Sequence, residues 1–167
     1  MIELHPADKH TFDRLLNGQS LAPSLAVCPG GLAPPEVMAI VADMAAKVRA
    51  DFAGDSAWLV VAQGEAVGLI SYKAAPCDGV VDIGYGIAEA RQGRRHASDA
   101  VRALADIGRA TGIRMLTAET SVDNQASRRV LENAGFRKVG ERDDPEDGPL
   151  ICWALDLLGL LVPEGME

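Results

Sequence analysis

Only three cysteines and three histidines occur in this 167-residue chain, and their placement excludes several chemistries at once. Cys28, Cys77 and Cys152 form neither an even disulfide set nor a Cys-x-x-Cys pair, so they read as buried or half-buried free thiols. A nucleophilic cysteine needs a histidine partner, and His5, His10 and His96 offer no local signature for one. A metal site is equally unsupported. Long apolar runs are missing too: nothing approaches the roughly 20 residues of a membrane span. The opening Met1-Ile2-Glu3-Leu4-His5 carries neither a basic leader nor an apolar signal core, which makes a cytoplasmic location the expectation. The glycine-and-lysine P-loop and the three-glycine dinucleotide pattern are both absent, so nucleotide hydrolysis and hydride transfer fit poorly. Positive charge is in deficit, 16 Lys and Arg against 24 Asp and Glu, and a net charge of −8 argues against nucleic-acid binding.

The positive charge that is present is concentrated. Arg91 to Lys138 holds ten basic residues against five acidic ones, a local +5 in an acidic protein, which suggests an anionic ligand there. The length fits one domain, residues 1–167, able to bury roughly 70% of its unfolded surface.

Residues 8–17 and 35–50 read as helices, the second with Val37, Ile40, Val41, Met44 and Val48 as an amphipathic stripe and Pro34-Pro35 at its start. A loop with Pro23, Pro29, Gly30 and Gly31 separates them. Residues 1–55 are thus expected to be substrate-side helices, with an apolar character that could support a homodimer. Trp58 to Lys73 reads as a hairpin about Gln63-Gly64-Glu65. After the turn Cys77-Asp78-Gly79, a third strand runs from Val80 to Ile87, with two glycines on the face it shares with Asp82. A helix from about Ala97 to Ala110 ends at Gly112, before a strand from Arg114 to Thr120. Strand, helix and strand in this order make a crossover, so these two strands should be parallel neighbours. Asn124 caps a helix that runs to Asn133 and stops at Gly135; strands 136–142 and 150–157 close the core around a polar loop at 143–149, and 158–167 is a loose tail.

Gln92-Gly93-Arg94-Arg95-His96-Ala97 falls between strand and helix, where free backbone N–H groups and the positive helix end favour phosphate. With the preceding Asp82-Ile83-Gly84-Tyr85-Gly86-Ile87 and the following helix, this stretch resembles the acetyl-CoA motif of the GNAT acetyltransferases, Arg/Gln-x-x-Gly-x-Gly/Ala. A second match runs from Ala118-Glu119-Thr120 through Asn124-Gln125-Ala126-Ser127 to Asn133-Ala134-Gly135-Phe136, and is similar to the branch that contains ribosomal-protein alanine acetyltransferases.

The resemblance spans about 58–157 and implies an α+β fold: a central mixed, mostly antiparallel twisted sheet of six to seven strands with a splayed parallel pair, flanked by helices. It implies acetyl-CoA as co-substrate, no metal, and an amine acceptor, either a protein N-terminus or a small molecule. The backbone of Ile83, Gly84, Tyr85, Gly86, Ile87 and Ala88 would pair with the pantetheine arm, and Gln92, Gly93, Arg94, Arg95, His96 and Ala97 would hold the pyrophosphate. Asn124 and Ser127 match positions that contact the arm or assist the leaving thiol. Arg95 stands where the family usually has glycine, and Leu131 where many relatives have a tyrosine acid. For the proton of the amine, Glu119 is the first candidate and Asp82 the second, both able to face the splay. A backbone N–H near Ile87 would hold the oxyanion. The competing reading is a non-catalytic CoA-binding sensor or interaction module.

Overall fold

The computed structural model describes residues 1–159, so from residue 160 onward the expected tail lies outside the described residues. Cap and turn residues set most of the element boundaries, beginning with β1 (Ile2–Pro6) and α1 (Lys9–Leu16).

 The elements range from two residues in β2 (Ala26–Val27) to 17 in α2 (Pro35–Asp51). Asp8 caps α1 by accepting from the Thr11 N–H at 2.9 Å, and Pro35 opens α2 at the position where its missing N–H costs nothing. β3 (Ala57–Ala62) and β4 (Glu65–Tyr72) form the expected hairpin, but its turn is the two residues Gln63 and Gly64, both with positive φ, and Glu65 already belongs to the strand.

β5 (Val80–Ile87), α3 (His96–Ala110) and β6 (Met115–Ser121) make the crossover, followed by α4 (Gln125–Asn133), β7 (Arg137–Asp144) and β8 (Gly148–Asp156). The loop expected at 143–149 is shorter, because both strands run into it. Asp144 Oδ1 accepts from the N–H groups of Glu146 and Asp147 at 2.9 and 3.0 Å and makes the turn. The sheet runs β1-β3-β4-β5-β6-β8-β7, with β2 beside β4, which gives eight strands among the described residues where six to seven were expected.

β1 and the two-residue β2, which lies in the expected loop, are the strands that the sequence reading missed. Ile2 and Leu4 pack on the core and Glu3 is exposed, a period of two that is only five residues long and closes on Pro6.

Alternation along β3 divides the core between the two faces. Trp58 and Val60 join Val81, Ile83, Val101, Leu104 and Leu131 under α3 and α4, while Leu59 and Val61 join Phe12, Met38 and Ala45 under α1 and α2. The inward face of α2 is Met38, Ala45 and Val48; Val37 and Ile40, placed in the stripe by sequence, are 41% and 61% exposed. Ala45 is buried in the same cluster as Leu59 and Val61 of β3, on the face that α2 turns to the sheet. Cys28 is buried and Cys152 half-buried as expected, but Cys77 is exposed on its turn.

Two features of this frame position the site. A Cβ on Gly68 of β4 would overlap the Gly86 carbonyl oxygen, so glycine permits the close β4–β5 approach. β5 and β6 pair in parallel only at Val80↔Met115, Val81↔Leu116 and Asp82↔Thr117, and diverge beyond.

Candidate functional site

Beyond Asp82 the backbone of β5 faces two ways. The Lys73 N–H donates to the Asp82 carbonyl and the Ala88 N–H to the Val67 carbonyl, so even-numbered residues spend their backbone groups on β4. Of the stretch expected to meet the pantetheine arm, Gly84, Gly86 and Ala88 are therefore committed to the sheet. Ile83, Tyr85 and Ile87 turn theirs toward the splay, with the Ile87 carbonyl accepting from Gln92 Nε2 at 3.1 Å. Gly86 has open space on its side-chain face, whereas the space beside Gly84 is taken by the stem of Lys73.

A cleft of about 640 Å³ opens from this edge to the start of α3 and across to α4. Its walls include Tyr85, Ile87, Gln92, Gly93, Arg95, His96, Ala97, Asn124 and Ser127, all expected from sequence, together with Arg129, which was not. Ile83, Gly84, Gly86, Ala88 and Arg94 are not on the wall. Burial, and then Arg94, pull His96 below the usual histidine range, so the helix start carries a neutral imidazole near neutral pH. Arg91, by contrast, is committed to Glu65 at 2.6 and 3.1 Å. Among the described residues, no ion pair engages Arg95, at the start of α3, or Arg129, on α4, and a cleft with a helix start and two such guanidiniums on its walls suits a phosphate ester.

Arg95 adopts the left-handed conformation, φ 64° and ψ 13°, that glycine ordinarily occupies. Arg95→Gly should leave stability nearly unchanged, since relief of about 1 kcal/mol of strain is offset by the greater freedom of glycine in the unfolded chain. Loss of the guanidinium should weaken CoA binding about three- to tenfold. Calorimetric titration with CoA beside thermal unfolding checks this; tighter binding by the variant would mean that the arginine obstructs the loop.

The other face of the splayed pair is polar, and α1 and α2 pack beside it on β3 and β4 rather than over β6 to β8. Asp82 sits at the apex, where Thr117 Oγ1 donates to its Oδ1 at 2.9 Å and Lys73 Nζ lies 3.8 Å from Oδ2. Burial raises Asp82 above the ordinary carboxylate range, against the opposing pull of Thr117 and Lys73. Glu119 shares this face, but Arg142 clamps both of its oxygens, one at 2.9 Å from Nη2 and the other from Nε. That clamp lowers the Glu119 pKa. Thr117, Arg142 and Cys152, the last 3.8 Å from Glu119, were missed by sequence reading. Strand register would have shown Cys152, since Glu119 pairs with it across β6 and β8.

Asn124 caps α4, its Oδ1 accepting from the Ser127 N–H at 3.1 Å, while the hydroxyl of Ser127 meets that of Tyr85 at 2.6 Å. Leu131 is fully buried in the core.

A family model described as an acetyltransferase (GNAT) domain matches residues 4–137. The chain belongs to the GNAT acetyltransferase family. As a GNAT acetyltransferase it is an enzyme that transfers acetyl groups with acetyl-CoA as co-substrate. No curated protein matches the chain. Among solved structures, it is similar to the Salmonella typhimurium acetyltransferase that modifies the N-terminal serine of ribosomal protein L7/L12, with 24% identity, 93% of this chain and 94% of that one covered, and TM-score 0.67. It is also similar to a spermidine N-acetyltransferase SpeG chimera from Vibrio cholerae and hSSAT, with 16% identity, 94% and 96% covered, and TM-score 0.69. A third, aminoglycoside acetyltransferase AAC(6′)-Ib in complex with coenzyme A, has 18% identity, 93% and 95% covered, and TM-score 0.66. At these identities the likeness concerns the GNAT fold. Among the described residues no helix is long and apolar enough to cross a membrane, and no cluster of potential metal ligands occurs.

Proposed function

We propose that this enzyme transfers acetyl directly from acetyl-CoA to a cationic primary amine, a protein N-terminus or a small amine, in a ternary complex. Asp82 is the proton acceptor in this reading. The observation that carries it is the meeting, at the apex of the splay, of the β5 edge with a carboxylate that burial makes more basic than usual. The bound ammonium first releases a proton to water; the neutral amine nitrogen then attacks the thioester carbon, the Ile87 N–H steadies the oxyanion, and the N–H proton of the tetrahedral intermediate passes to Asp82, which returns it to solvent. The C–S bond then breaks and the thiolate takes a proton from the Ser127 hydroxyl, which solvent restores. Glu119, with both oxygens occupied and its charge balanced by Arg142, is not the base. Free thiols fit a reducing compartment, and we place the reaction in the cytoplasm.

The test combines calorimetric titration of acetyl-CoA with a CoA-release assay on peptide N-termini, polyamines, amino acids and aminoglycosides. Binding with turnover of one amine class is the expected result. Binding with no turnover of any of them would sink the amine reading.

A further inference from the structure

The hydroxyl of Tyr85 lies 2.6 Å from Ser127 Oγ and 3.3 Å from the Ser127 carbonyl oxygen. Tyr85 belongs to β5 and Ser127 to α4, and both line the same cleft. β5 and β6 are unpaired beyond Asp82 and Thr117, and this hydrogen bond ties the free stretch of β5 to the first turn of α4, the helix that follows β6.

Its direction follows from chemistry. A phenol is a stronger acid than an aliphatic alcohol, and the alcohol oxygen is the better acceptor, so Tyr85 donates and Ser127 receives. Burial raises the Tyr85 pKa and keeps the phenol protonated, as a donor must be. The Ser127 N–H is already engaged by Asn124. What remains to the serine is one hydroxyl hydrogen, with the tyrosine side of its oxygen filled.

We infer that Tyr85 is a positioning residue for departure of the CoA thiolate: its bond to Ser127 Oγ aims the serine hydrogen into the cleft, at the leaving sulfur. The inference rests on the acetyltransferase reading of the cleft. Tyr85 gives up no proton; Ser127 Oγ–H passes its hydrogen to sulfur as the C–S bond breaks, and solvent returns one to the serine.

The experiment uses Tyr85→Phe, Ser127→Ala and the double variant. The first readout is the pKa of the thiol of bound CoA, followed by the ultraviolet absorbance of the thiolate against the same variant without CoA, and it requires no amine. A serine hydrogen bond to sulfur should hold this thiol below that of free CoA, and each variant should return it toward the free value. The second is steady-state kinetics: Tyr85→Phe should lower kcat about tenfold with KM for acetyl-CoA within about twofold, and the double variant should be no worse than Ser127→Ala. An unchanged thiol pKa in Tyr85→Phe, independent multiplication of the two losses, or loss of CoA binding by Tyr85→Phe would each overturn the inference. If the wild-type protein turns over no amine, the proposed function falls, while the thiol titration still decides the role of Tyr85.

Discussion

Ala97→Glu should weaken CoA binding at least about 100-fold and yet leave the protein slightly more stable. Ala97 is the second residue of α3 and lines the cleft beside Arg95 and Gln92. A carboxylate there is covalently held beside the N–H groups and guanidinium that a phosphate would use, so it competes at high effective concentration and repels the ligand as well. The same charge at the positive end of a helix contributes about 0.3–1 kcal/mol to folding. Titration calorimetry and thermal unfolding read the two effects separately. CoA affinity within a few-fold of wild type would place the phosphates elsewhere than at the start of α3.

Asp82→Asn should lower kcat/KM about 100-fold while raising stability about 0.5–1 kcal/mol. A raised carboxylate pKa means that the folded chain holds this proton more tightly than the unfolded chain does. Its contribution to stability is therefore present at low pH and lost as pH rises through the folded value, leaving a net cost at neutral pH. Asparagine removes the buried charge and can still accept from Thr117. The pH profile of kcat/KM should rise through an acidic limb displaced upward from the ordinary carboxylate range, and the limb should vanish in the variant. Glu119→Gln should retain that limb. Full activity of Asp82→Asn across pH would make direct base catalysis by Asp82 untenable.

The crossover was legible because its signals are local. Asn124, Gly135 and the loop from Gln92 to Ala97 mark boundaries that the neighbouring residues alone determine, and the parallel pairing follows from chain connectivity. The rotation of α2 was not, because apolar residues occupy more than one of its faces and only packing against the sheet selects Met38, Ala45 and Val48. The choice between Asp82 and Glu119 was equally hidden. It depends on Arg142, 23 residues beyond Glu119 in sequence, which reaches the carboxylate only after β8 has placed β7 on the far side of the sheet. Tyr85 was expected to contribute its backbone; the partner of its hydroxyl is 42 residues away.

The divergence of β5 from β6 places a strand edge in the middle of a sheet instead of at its rim. Interior edges of this kind are weak seams, and a molecule that lies along one acts as mortar between two halves of the protein. Occupancy at about 100 times Kd would add about 2.7 kcal/mol to the folded state. The abundance of this protein would then track the supply of its own acetyl donor, with turnover quickening when the donor runs short.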